Sequence, residues 1–178
     1  MRILAVLLVM GSLVPACAAP PRPPAAPPPP LAERTPDERA LEQALQDFYG
    51  APYRRGGSDP SVVDCSGLVQ AAYQRLGLHL PRTVAQQYQA GKPVAPSELR
   101  LGDVVFFNRF CQIRSPDFFM AGMVPPAYAA EACHNGIYLG QGRFVHASPK
   151  GVFVSRLDAE VWRASFLGAR RYLSGMGQ

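Results

Sequence analysis

The 178-residue chain has no CxxC and no HxxxH pair, and it holds only three histidines and four cysteines. The familiar spacings of structural zinc sites are therefore missing. There is no run of Lys or Arg either. Arg54-Arg55 and Arg170-Arg171 are only pairs, and the net charge of +5 is diffuse. That argues against nucleic acid as a partner, while a mild positive balance is compatible with an anionic polymer without indicating one. The apolar run from Ile3 to Met10 is too short to span a membrane as a stable helix.

The N-terminal stretch reads as a targeting segment instead. Arg2 is a short basic head before the apolar run, and Val14-Pro15-Ala16-Cys17 resembles a lipobox, the site at which bacterial lipoproteins are cleaved and lipidated on the new N-terminal cysteine. Residues 1–16 are thus expected to be a signal peptide and Cys17 a lipid site. An ordinary secretory signal cut near Ala16, Ala18 or Ala19 is the alternative. Residues 20–30 contain eight prolines in eleven positions. Such a tract prefers extended polyproline geometry and would reach roughly 34 Å, a spacer between an anchor and one folded domain over 35–178.

Helices come first in that domain. Thr35-Pro36-Asp37-Glu38 is a helix start with a capping box, and Leu41, Leu45, Phe48 and Tyr49 share one face. A second helix is expected from about Cys65 to Leu76, behind Asp64 as cap, and a third, short one opens at Thr83 and ends near Gly91. The period then changes. Residues 104–107, 136–139, 143–147 and 152–155 read as strands, with Gln141-Gly142 as a tight hairpin turn, and a last strand near 169–173 is expected to close the sheet. The fold class is α+β, helices packed on an antiparallel sheet. A simple two-residue turn makes 140 pair with 143, so that His146 faces Ile137.

Cys65 opens its helix, and His134 and His146 lie near one end of the hairpin. A thiol needs a base within hydrogen-bond reach, and the base needs an orienting group. Cys65 is a candidate nucleophile, His134 a candidate base and His146 a candidate orienter. A helix N-terminus favours a thiolate, so Cys65 is expected to be alkylated faster than an ordinary thiol near pH 7. A plain core cysteine remains an alternative, as does a metal held by Cys65 and the two histidines.

The surrounding motifs extend the pattern: Ala51-Pro52-Tyr53-Arg54-Arg55-Gly56-Gly57, Val63-Asp64-Cys65-Ser66-Gly67-Leu68, Leu80-Pro81-Arg82-Thr83, Leu101-Gly102-Asp103-Val104, His134-Asn135-Gly136-Ile137-Tyr138 and Phe144-Val145-His146-Ala147-Ser148. Together, over about residues 40–173, they resemble the NlpC family of cell-wall cysteine peptidases. The resemblance implies a papain-like fold and a Cys65-His134-His146 triad. It implies hydrolysis of peptidoglycan stem peptides, at the D-glutamyl–diaminopimelate bond, without a cofactor. It also implies help from Tyr53 at an oxyanion hole and a substrate cleft lined by Asp64 and Ser66, although packing for Tyr53 and helix capping for Asp64 account for them equally. A wall-binding or regulatory protein with a degenerate site, or an amidase or other acyl-transfer enzyme, are the other classes open. Arg82 reads as structural and His79 as surface.

Cys111 and Cys133 flank a segment, 109–133, that shorter relatives lack. In an oxidising compartment the pair can be bridged across 21 intervening residues, which is worth roughly 3 kcal/mol in the chain-entropy model. Two free thiols are the alternative. The apolar content of the segment suggests a lid over the cleft. Ala18 after Cys17 implies, by resemblance to other lipoproteins, an outer-membrane location facing the periplasm.

Overall fold

The computed structural model describes residues 34–109 and 131–173. Cys17, the proline tract, Cys111 and most of the inserted segment lie outside the described residues. Thr35 caps α1 (Pro36–Gln46) and forms the expected reciprocal capping box with Glu38, so two N–H groups of the helix start find partners. Leu41, Ala44 and Leu45 are its buried stripe. A small ribbon of β1 (Ser58–Asp59) and β2 (Val62–Val63) leads directly into α2 (Cys65–Gln74), capped by Asp64. Thr83 and Gln86 form a second capping box at the start of α3 (Val84–Ala90).

The main sheet is antiparallel and contains β3 (Lys92–Val94), β4 (Val104–Phe107), β5 (His134–Gly140), β6 (Arg143–Ser148), β7 (Gly151–Arg156) and β8 (Phe166–Arg171), in the order β3-β8-β4-β5-β6-β7. A single turn, α4 (Glu160–Arg163), lies between β7 and β8. The sequence led us to expect that the last strand closes the sheet, and this is corrected. It inserts between β3 and β4, and the edge belongs to β3. Pro93 explains the placing, since proline has no N–H for a second ladder and suits an edge.

Both faces of the sheet are covered. On one, Val104, Phe106, Ile137, Val145 and Ala147 pack against Leu68, Val69, Ala72 and Tyr73 of α2 and Leu41 and Leu45 of α1. On the other, Val105, Phe107, Tyr138, Phe144 and Ala169 gather around Trp162 of α4. Alternate residues of β4 and β5 therefore go to different cores, and β4 is buried throughout. Arg170 and Arg171, read from sequence as a bare basic pair, are engaged internally. Arg171 grips the buried Asp103 carboxylate with bonds of 2.7 and 2.8 Å, and Arg170 donates to the Tyr88 carbonyl at 2.6 Å. Together they tie β8 to the head of β4 and to α3.

The hairpin turn is as read, with Gln141 and Gly142 both at positive φ, 52° and 67°. Gly140 pairs with Arg143, but Tyr138 pairs with Phe144 and Ile137 with Val145. One extra residue, Leu139, is accommodated on β5 between these pairs, a bulge that moves the register by one. The expected Ile137–His146 pairing is thereby corrected, because a turn alone does not reveal a bulge behind it.

Candidate active site

The bulge decides where the histidines point. In the shifted register Gly136 is level with His146, and His134 stands two residues from Gly136, on the same face of the ribbon. The imidazoles become diagonal neighbours, with His134 Nε2 and His146 Nδ1 3.0 Å apart and the rings at 89°. The expected register would have sent them to opposite faces. Gly136 leaves the room: a Cβ there would come within 2.7 Å of the Phe144 ring and 3.0 Å of His146 Cβ. Both imidazoles are buried. Trp162 stacks on His134 at 5.5 Å and meets His146 edge-on at 4.8 Å, while Phe144 and Phe153 flank His146 at 5.0 and 4.6 Å. The outer nitrogen of His146, Nε2, lies 2.9 Å from Ser155 Oγ on β7.

The head of α2 is built quite differently. Asp64 caps it through Oδ1, which accepts from Gly67 N at 2.7 Å, and Oδ2 accepts from Gly56 N at 2.8 Å. Arg82 binds the same carboxylate with both guanidinium nitrogens at 3.0 and 2.7 Å and also donates to Ser66 Oγ at 2.9 Å. Arg82 is structural, as read. Gly67 lets the loop close on the helix, since a Cβ there would sit 2.0 Å from the Gly57 carbonyl. Behind the first turn, Gln87 Nε2 donates to the Ser66 carbonyl at 3.1 Å and Gln87 Oε1 accepts from Asn135 Nδ2 at 2.6 Å. This buried strap joins the helix that carries Cys65 to the strand that starts with His134.

The two halves meet at one cavity of about 630 Å³. Tyr53, Asp64, Cys65, Ser66, Arg82 and His134 are among its lining residues, as are Ala132 and Cys133 at the return of the inserted segment. His146 stands behind His134, and His79 is exposed on a loop away from the cavity, as expected. Among the described residues, no group of three or more His, Cys, Asp or Glu side chains is arranged to hold a metal.

The electrostatics correct one expectation. Burial pushes the Cys65 thiol up to about 11, and the neighbouring Asp64 carboxylate adds to the rise. Backbone N–H groups of Ser66, Cys65 and Asn135 oppose the rise without overcoming it. The helix start does favour a thiolate, but burial, and after it the carboxylate that caps the helix, does the opposite. Burial holds His134 well below an ordinary histidine, helped by His146 and Arg109, and holds His146 at about 4. The resting pair is neutral thiol and neutral imidazole. Burial also raises Tyr53, with contributions from Cys65 and Asp64. Burial pushes the Asp64 carboxyl up, but the Arg82 and backbone hydrogen bonds outweigh it and leave the carboxyl below its usual range.

Sequence reasoning missed Ser155, Trp162, Gln87 and Asn135. Trp162 is the sole tryptophan of the chain, but nothing in its neighbourhood tells that α4 folds back over the histidines. Ser155 ended a strand already read, and only the β6–β7 register, with His146 opposite Phe153, brings it beside His146.

A thiol at the start of a helix, packed on an antiparallel sheet whose strands carry two linked imidazoles, defines a protein of the papain-like class. More narrowly, the chain belongs to the NlpC/P60 family, whose model matches residues 50–171. It is 38% identical over 133 residues to the gamma-DL-glutamyl hydrolase of Bacillus subtilis (strain 168), covering 73% of this chain and 28% of that protein. It is 38% identical over 138 residues to the murein DD-endopeptidase MepS/murein LD-carboxypeptidase of Escherichia coli (strain K12), covering 76% of this chain and 63% of that protein. The chain thus spans less than two thirds of either relative. Among solved structures, an NLP/P60 family protein of Staphylococcus aureus, described as similar to lipoprotein, superposes with a TM-score of 0.61 at 32% identity, over 78% of this chain and 42% of that one.

Proposed function

We propose that the protein is a peptidoglycan hydrolase, a cysteine endopeptidase that cleaves stem peptides with Cys65 as nucleophile, His134 as base and His146 as orienter. The support is one cavity lined by both the thiol and His134, with His146 Nδ1 3.0 Å from His134 Nε2. In the reaction Cys65 Sγ attacks the amide carbonyl as its proton passes to His134 Nδ1. The oxyanion is met by the Cys65 backbone N–H and by Tyr53. The C–N bond then breaks as His134 returns the proton to the leaving amine. Water, deprotonated by His134, attacks the thioester and releases the acid, and the thiol recovers its proton. Asp64 and Ser66 edge the cleft, where an Asp64 carboxylate held in its charged form suits a free amine on the stem peptide.

The names of the two relatives point to different bonds, a gamma-DL-glutamyl bond in one and murein D,D and L,D bonds in the other. We favour the D-glutamyl–diaminopimelate bond, in line with the gamma-DL-glutamyl hydrolase. The same proposal includes export, lipidation at Cys17 with the proline tract as spacer, an outer-membrane location facing the periplasm, and a Cys111–Cys133 bridge. Purified sacculi incubated with the wild type, Cys65→Ala and His134→Ala, with fragments weighed by mass spectrometry, test the proposal. The wild type should expose diaminopimelate amines, and either variant should lose at least roughly 10³-fold in rate, since the two groups act as a unit. Undiminished hydrolysis by Cys65→Ala would sink it, and fragments opened only at the D,D cross-link would move the bond.

A further inference from the structure

We propose that Ser155 is a positioning residue that sets the tautomer of the two-imidazole chain: its oxygen accepts from His146 Nε2, which leaves His134 Nδ1 unprotonated for Cys65. The proposal deepens the hydrolase reading and rests on it for its kinetic consequence. A neutral imidazole has one N–H and one lone pair. Two neutral imidazoles joined by the single contact between His134 Nε2 and His146 Nδ1 share one proton there, so the chain has only two settings. In the first, His134 carries its proton on Nε2, donates to His146, and His146 carries its own on Nε2. In the second, every proton moves to the opposite nitrogen, and His134 presents Nδ1–H to a thiol that already has a proton. Only the first setting offers a base.

At the far end of the chain a hydroxyl that accepts from His146 Nε2 holds the first setting. His146 Nε2 lies 2.9 Å from Ser155 Oγ, and Ser155, on β7 opposite Phe144, is half-buried. Among the described residues the hydroxyl has no other hydrogen bond, so its proton can turn to solvent while a lone pair faces His146. The near end agrees with the proposed role of His134, because a base for the Cys65 proton needs an unprotonated Nδ1. A hydroxyl also accepts without adding charge, whereas a carboxylate in its place would favour an imidazolium. The register that puts Ser155 there is that of β6 and β7, so the third strand of the meander completes what the bulge on β5 begins.

Ser155→Thr and Ser155→Val separate hydroxyl from shape, since both are β-branched, nearly isosteric and suited to a strand. The threonine variant should keep kcat/KM on a stem-peptide substrate within about twofold, and the valine variant should lose roughly 5- to 10-fold with KM unchanged, the worth of one hydrogen bond. The 15N spectrum of the histidine side chains should show His146 protonated on Nε2 in the wild type and the threonine variant, and a shift toward the Nδ1 form with valine. A wild-type spectrum with the proton on Nδ1 of His146 would overturn the proposal. So would equal losses in both variants, or a valine variant with unchanged turnover and tautomer. If the wild type hydrolyses no stem peptide, the hydrolase reading fails, and the 15N spectrum still decides the tautomer.

Discussion

The head of α2 and the β5–β6 histidine pair face one cavity, yet they are held by opposite means. Cys65 sits on a lattice of charges, with Asp64 gripped by Arg82 and by two backbone N–H groups at the half-open rim of the cleft. The imidazoles sit in an aromatic box of Phe107, Phe144, Phe153 and Trp162. Burial shifts both reacting groups, the thiol up and the imidazoles down, and at the thiol the Asp64 charge adds to it. The thiol keeps its proton and the imidazole refuses one. The difference teaches that this site is tuned to move a proton at the moment of attack, and not to store an ion pair beforehand.

The two halves should therefore fail differently. Trp162→Leu opens the aromatic half and should have the larger effect on stability, roughly 2–3 kcal/mol, because a large buried ring is lost. It should also move the acid limb of the kcat/KM profile upward, toward an ordinary histidine, since burial is what depresses both imidazoles. A limb that stays in place would mean that Trp162 is only packing. Arg82→Met opens the polar half at a smaller cost, roughly 1–2 kcal/mol, because the guanidinium is partly in water.

Thermal melts at pH 7, 5 and 3 sharpen the same contrast. The histidines have folded pKa values below their unfolded ones, so the stability they carry falls away as the pH drops below 6.5, for His146 down to about 4. Asp64 also has a depressed folded pKa, so its contribution stands above the usual carboxylate range and is lost only as pH falls through the lower folded value. Trp162→Leu should flatten the loss between pH 7 and 5, and Arg82→Met the loss between pH 5 and 3. Identical pH slopes in both variants would refute the division.

Much of this was legible in the sequence, and for identifiable reasons. The capping boxes at Thr35 and Thr83 and the Gln141-Gly142 turn are local chemistry, and they appear where read. Cys65, His134 and His146 were found because each stands at the edge of a periodic element. The bulge at Leu139 could not be read, because the residues on either side suit a regular strand equally well. Without it the face shared by His134 and His146 was lost, and with it Ser155. The order of β3 and β8 was also hidden, being set by contacts far apart in the chain such as Arg171 on Asp103. The thiol was misjudged for a subtler reason: the burial of Cys65 against the sheet does not show in the sequence, and Asp64 was read as a cap or substrate ligand with its charge on Cys65 left out.

The neutral pair is the central claim, and the rate of Cys65 alkylation by iodoacetamide against pH, followed by intact mass, tests it most directly. The thiol pushed up to about 11 predicts slow modification at pH 7 and a rate that climbs through the alkaline range. A high, flat rate from pH 5 to 8, abolished by His134→Ala, would reveal a resting thiolate–imidazolium pair and contradict the account.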